Sequence, residues 1–196
     1  LEIVLMSPGS VLLWPEPFNP WTFRSTMPDY VGVPPLIRQI VEEWNVKTAA
    51  MLYAIDDDWS VGSMEQFRQA AEASGIQLLA VEGFRTNDTD FSAQLTRIVR
   101  HRPDVIFLPV LARDAALIMQ QARRFGVQSR FVGLSAFNDP HIMEVAAREA
   151  DGAVFATPFD PNDPREVVQT FVATYRERYG EDVPLYAAYG SDGMIA

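Results

Sequence analysis

From Val105 to Val110 the chain reads Val-Ile-Phe-Leu-Pro-Val, with no polar residue after Asp104. A strand with one face in water alternates apolar and polar residues, whereas a strand covered on both faces need not. The stretch Ala49–Ile55 (Ala-Ala-Met-Leu-Tyr-Ala-Ile) has the same character. Two such strands demand cover above and below the sheet. In a chain of 196 residues that cover comes from helices alternating with the strands.

The predicted order supplies them. Strands fall at 47–55, 76–81, 104–110, 130–134 and 152–156. Between them lie a helix from Ser60 to residue 74 stopped by Gly75, one from the cap Asp90 to about His101, one over Asp114–Phe125 stopped by Gly126, and one from Asp139-Pro140 to about Glu149. A helix opened by Pro28-Asp29, with Leu36, Ile37, Ile40, Val41 and Trp44 on its apolar face, precedes the series. The expectation is an α/β fold: a doubly wound, mostly parallel sheet flanked by helices and joined by right-handed crossovers. Outside this region the pattern changes. Glu2–Met6 reads as a strand and Val11–Trp21 as an irregular, proline-rich loop. Arg165–Tyr179 reads as a helix closed by Gly180, and Pro184–Ala196 as a last apolar helix. Residues 28–157 therefore read as one α/β unit, with 1–27 and 158–196 as pieces of a second. Both ends look cut, and the apolar faces left there allow a homodimer.

Charge and side-chain counts narrow the function. A net charge of −10 excludes nucleic acid and anionic membrane surfaces, which need clustered cations. There is no cysteine, so thiolate nucleophiles, thiolate metal sites and disulfides are excluded. The lone lysine, Lys47, opens a strand; a phosphate-binding P-loop, a Schiff base and a receiver-type phosphorylation site each need a lysine elsewhere. Two isolated histidines do not make a transition-metal site, and no cofactor is called for. No targeting segment is visible at the N-terminus.

In open α/β sheets ligands sit at the carboxyl ends of strands. Trp59, after the acidic turn Asp56–Asp58, stands at that place, although an aromatic there also serves as core. The three aspartates could hold Mg²⁺ or Ca²⁺, but the preferred expectation is a solvated turn that caps the following helix. Ser135, Asp139 and His141 have the residue types of a hydrolytic triad without the G-x-S-x-G elbow, so a hydrolase is the alternative function.

Four segments resemble the periplasmic solute-binding proteins of ABC transporters, in the branched-chain amino acid (Leu/Ile/Val-binding) family. They are the opening strand with Ser7-Pro8-Gly9-Ser10 and Trp21-Thr-Phe-Arg24-Ser; Ala49–Ser63; TNDTDFSAQLTRI with RPDVIFLPV; and QQARRFGV followed by FVGLSAFNDP and DGAVFATPF. The resemblance implies a two-lobed, non-enzymatic binding protein that closes on a small solute. It also implies a periplasmic location and a membrane permease as partner. Residues 1–27 and 158–196 would belong to the first lobe and 28–157 to the second. Ligand contacts would fall on Ser7, Gly9, Ser10 and Val11 from the first lobe, and on Trp59, Leu111, Ala112 and Ser135 from the second. Val11 replaces the family's usual hydroxyl and Ser135 the acid that amino-acid binders place opposite an ammonium. An apolar or aromatic carboxylate is then implied beside an amino acid, because a buried ammonium needs a paired charge or several acceptors.

Overall fold

The computed structural model describes residues 5–7 and 20–195. Strands β1 (Leu5–Ser7) and β2 (Thr22–Arg24) pair in parallel as a small sheet. The main sheet contains β3 (Thr48–Ala54), β4 (Gln77–Phe84), β5 (Val105–Phe107), β6 (Arg130–Gly133) and β7 (Val154–Phe155), in the order β4-β3-β5-β6-β7, and every pair is parallel. The doubly wound α/β fold expected from the sequence is the fold observed. The path leaves β3 for β4 on one side, then returns to β5 on the other. The topological switch point is therefore between β3 and β5.

Two cores follow from the period-two alternation of buried strands. Met51, Phe107 and Val132 face α1 (Asp29–Trp44) and α2 (Asp58–Ala73), meeting Val33, Ile37, Ile40, Phe67 and Ala71. Their neighbours Leu52, Ile106 and Phe131 face the other way. There they meet α3 (Ser92–His101), α4 (Ala112–Arg124) and α5 (Pro140–Val145) through Leu95, Ile98, Ile118, Met119 and Ile142. Phe67 stacks on Phe107 with centroids 4.8 Å apart and 12° between the planes, fixing α2 over the switch point. The fully apolar strands are thus apolar because each residue reaches one core or the other.

Boundaries differ from expectation where side-chain hydrogen bonds relocate a helix end. Helix α2 begins at Asp58 rather than Ser60, because Asp57 is the N-cap and accepts from the Ser60 N–H at 2.7 Å. Trp59 therefore lies in the first helical turn, not on the lip of the preceding turn. Asp90 does not occupy the N-cap of α3. Phe91 does, and Asp90 receives both the N–H and the hydroxyl of Ser92. Helix α4 starts two residues before Asp114. The helix expected to run to Glu149 divides at Ala147, whose φ of 43° is left-handed, and continues as a short 3-10 turn. Strand β5 stops at Phe107; Leu108 still donates to Val132, and Pro109 has no N–H with which to continue the ladder.

Helices α6 (Glu166–Tyr179) and α7 (Leu185–Ile195) stand with β1 and β2, outside the five-stranded unit. The Ser25 hydroxyl donates to the Tyr189 carbonyl at 3.4 Å. Thr26, Met27, Pro158 and Phe159 line the groove beside these helices, so the chain passes between the two assemblies at both places.

A close approach at the end of β6 shapes the loop that carries Ser135. A Cβ on Gly133 would fall 2.5 Å from the ring of Phe137, a side chain itself buried against the core. Gly133→Ala should cost about 1–3 kcal/mol through overpacking. Urea denaturation measures this, and a wild-type midpoint would show that the ring turns aside freely.

Candidate functional site

The carboxyl edge of the sheet collects the loops after β3, β4, β5, β6 and β7. Next to the switch point, Ile55–Asp57 leads into α2, and Leu108–Leu111 leads into α4. One hydroxyl joins them. Ser60, 1% exposed, accepts from the Ala54 N–H at 2.8 Å and donates to the Pro109 carbonyl at 2.6 Å. Both ends of that bridge are backbone, so it fixes the paths of two loops. In a buried setting each group would otherwise be an unpaired polar atom.

The aspartates of the acidic turn take three jobs. Asp56 accepts from the Thr86 N–H at 2.8 Å and its hydroxyl at 3.1 Å, tying the loop after β4 to that after β3. The Thr86 N–H bond is the main cause that holds the Asp56 carboxyl below its ordinary range. Asp57 caps α2, and Asp58 lies in its first turn, where a negative charge meets the positive end of the helix. Among the described residues no group of three or more His, Asp or Glu side chains is arranged to hold a metal. Gln121, near the end of α4, holds the segment that enters α3 by accepting from the Phe91 N–H at 2.9 Å and donating to the Thr89 carbonyl at 2.8 Å.

The residues expected to touch ligand are distributed as follows. Trp59 is half-buried and packs against the core that contains Phe67 and Phe107. Leu111 caps α4 and is 47% exposed, an open apolar side chain across the switch point from α2. Ala112 is half-buried against the opposite core. Ser135, half-buried, begins the turn after β6 and lines a small cavity with Asp29, Leu134 and Ala156. Ser7 lies in the small sheet, where its carbonyl accepts from the Ser25 N–H at 3.1 Å. Gly9, Ser10 and Val11 are outside the described residues. The main sheet therefore brings Trp59, Leu111 and Ser135 to one edge, and Ser7 belongs to the other assembly.

The hydrolytic alternative is not built. The Asp139 carboxylate caps α5 by accepting from the His141 N–H at 2.8 Å. The His141 imidazole is 3.5 Å from Glu144 instead. No hydrogen bond connects Ser135 with either residue, so no base is positioned on that hydroxyl.

Sequence reasoning missed Ser60 and Asp114. Ser60 looked like a helix-starting serine, and its partner Pro109 lies 49 residues away. Asp114 looked like a helix start, but it is buried in the first turn of α4. Burial raises its carboxyl above the ordinary value. Arg113, 3.2 Å away, opposes this, while the charges of Asp57 and Asp88 add to it.

Ser60→Ala should cost about 1–3 kcal/mol in chemical denaturation, since two backbone groups lose their partner in the interior. A loss no larger than for an exposed serine would show that the bridge is dispensable. For Asp114, a folded value above the unfolded one means that its contribution favours folding in acid and is lost as pH rises through the folded value. Asp114→Asn should therefore gain melting temperature relative to wild type at pH 7 and lose that advantage near pH 3. An equal difference at both pH values would contradict the assignment.

Comparison with known proteins shows the family. A family model described as "Periplasmic binding protein" matches residues 2–195. The leucine-, isoleucine-, valine-, threonine- and alanine-binding protein of Pseudomonas aeruginosa is 24% identical over 171 residues, covering 85% of this chain and 45% of that protein. The crystal structure of a leucine-binding protein, LivK, from Thermotoga maritima superposes with a TM-score of 0.91 at 25% identity, covering 99% of this chain and 55% of the other. LivJ from Streptococcus pneumoniae, solved in complex with isoleucine, gives a TM-score of 0.86 at 25% identity, covering 99% of this chain and 56% of the other. The chain thus spans about half the length of the relatives it matches. With nearly every residue inside the matched range, the chain belongs to the periplasmic binding protein family.

Proposed function

We propose that this protein is the solute-binding component of an ABC transporter, acting in the periplasm or outside the cell. It takes a small apolar amino acid or an apolar or aromatic carboxylate between two lobes. The observation that carries the reading is the pairing of Trp59 and Leu111 on either side of the switch point, where doubly wound sheets receive ligands. An exposed Leu111 facing an open edge has a purpose if a ligand covers it. Relatives described as binding leucine or isoleucine support an apolar side chain as the part that meets this wall.

On this reading residues 28–157 form the second lobe, and residues 1–27 and 158–196 belong to the first. Trp59, Leu111, Ala112 and Ser135 are the second lobe's contacts. Ser7, Gly9, Ser10 and Val11 are the first lobe's share. The Ser135 side chain itself has no charge to offer an ammonium, so an aromatic or aliphatic carboxylate is proposed beside an amino acid. The closed form gains contacts from both lobes at once, and ligand shifts the population toward it. A membrane permease would read that closed shape. The relatives' descriptions speak for such a transporter and not for a second copy of this chain.

Isothermal calorimetry with L-leucine, L-isoleucine, phenylacetate and a medium-chain fatty acid tests the reading. One-to-one heat without turnover is the expected result, and the absence of binding to any of the four sinks it. With the best ligand, Trp59→Ala should cost about 2–4 kcal/mol of affinity, as an aromatic anchor does. A loss below half a log unit in Kd would make Trp59 a core residue only.

A further inference from the structure

Asp29 is the first residue of α1 and follows directly on Met27-Pro28, where the chain enters the five-stranded unit. A first-turn aspartate ordinarily stays at the surface and complements the dipole of its own helix. This one is 6% exposed, and its Oδ2 accepts a 2.5 Å hydrogen bond from the hydroxyl of Ser63, a fully buried residue on α2. The two residues are 34 apart in sequence, so the bond joins two helices. A carboxylate withdrawn from water on this scale needs a structural reason.

The position of Ser63 supplies that reason. It lies four residues after Trp59 in α2, and residues so spaced share one face of a helix. That face is turned toward α1, because Trp59 packs against the core containing Val33 and Ile37. The entering segment is equally constrained. A Cβ on Gly32 would fall 2.8 Å from Cε of Met27, so the missing side chain lets Met27 lie against α1. Met27, Asp29, Ser135 and Pro158 then surround one small cavity. The two places where the chain passes between assemblies, the start of α1 and the loop of Ser135 meet at this point.

We propose that Asp29 is a positioning residue for the ligand wall: through Ser63 it braces the first turns of α2 against the segment entering the unit, and thereby sets where Trp59 stands. The proposal rests on the reading of Trp59 as a wall of the ligand site. The brace couples two things that a hinged binder must keep in register, the segment about which its lobes move and the aromatic surface presented to the ligand. Ser60 performs the complementary task on the other side of α2, toward the loop of Leu111.

The test uses Ser63→Ala and Asp29→Asn, each alone and combined with Trp59→Phe. Without ligand, the emission of Trp59 is isolated by subtracting the Trp59→Phe spectrum, and its acrylamide quenching is measured. Both brace variants should shift that emission and raise quenching about two-fold. With whichever of L-isoleucine and phenylacetate the wild type binds more tightly, Ser63→Ala should weaken Kd about ten-fold. In the Trp59→Phe background the same change should weaken Kd less than two-fold. A role confined to stability would lower the melting temperature, leave Trp59 emission as in the wild type, and shift Kd equally in both backgrounds; either of the last two results overturns the brace. If the wild type binds neither compound, the solute-binding reading is at fault, and the ligand-free fluorescence still decides whether Asp29 and Ser63 position Trp59.

Discussion

One buried hydroxyl organises the edge of this protein where a ligand would meet it. Ser60 joins the backbone of β3 to the backbone that follows β5, at the one pair of neighbouring strands among the five described in the main sheet between which the winding direction reverses. In a parallel sheet every other interstrand gap at the carboxyl edge is closed by a crossover that continues in one direction. At the reversal the two helices depart to opposite faces, α2 to one and α4 to the other, and the gap stays open. An open gap needs its rims held by something other than a crossover. Ser60 does this from below, the Asp57 cap fixes the start of α2, and the Asp56–Thr86 bonds bring in the third loop.

The same edge is electrically biased. The first turns of α1, α2 and α4 carry Asp29, Asp58 and Asp114, and the caps of α2 and α5 are Asp57 and Asp139. Helix N-termini at a sheet edge are ready-made anion sites when their N–H groups and dipoles are unanswered. Here the protein answers them with its own carboxylates. The carboxyl of Asp114 is raised first by its burial; Arg113 opposes this, and the charges of Asp57 and Asp88 add smaller contributions against its ionisation. Basic residues gather at the opposite ends of the helices, with Arg100 and His101 on α3 and Arg123 and Arg124 on α4. Each placement lowers the energy of its own helix, and together they make this wall a poor receiver for a carboxylate.

How much of this was legible in the residues depends on the range of the interaction concerned. The strands were readable because a run such as Val105–Leu108 has no polar face to misassign, and the topology followed from spacing. Helix ends were readable where a glycine stood after the last turn, as at Gly75, whose φ is 74°. The ends at Trp44 and His101 also fell where the apolar periodicity stopped, although Asn45 and Arg102 rather than glycine take the left-handed position there, with φ of 54° and 47°; the end was not readable where Ala147 broke a helix without any local signal. Trp59 could be placed at the correct edge because position along a strand is a local property. Its angle to the sheet could not, because that depends on a cap shifted by two residues and on contacts with α1. Ser60, Ser63 and Asp29 each look like routine helix-start residues. Their roles come from partners dozens of positions away, which no periodicity encodes.

These constraints bear on how binding free energy would be divided on the proposed reading. The second lobe offers apolar contact through Trp59 and Leu111, and its fixed charges repel an anionic group. Amino acids, aromatic acids and fatty acids all carry a carboxylate. That group must then be received by the first lobe, where the family resemblance puts the Ser7–Val11 loop. On that reading the second lobe alone would not hold such a ligand well, because its acidic edge disfavours the carboxylate. Affinity then depends on both surfaces engaging together, and a ligand with only one of the two features cannot favour the closed state over the open one. An acid-lined apolar wall is in this sense a selectivity device. On the proposed reading it would direct the carboxylate outward to the first lobe and the side chain toward Trp59, and closure would then report the presence of a complete solute.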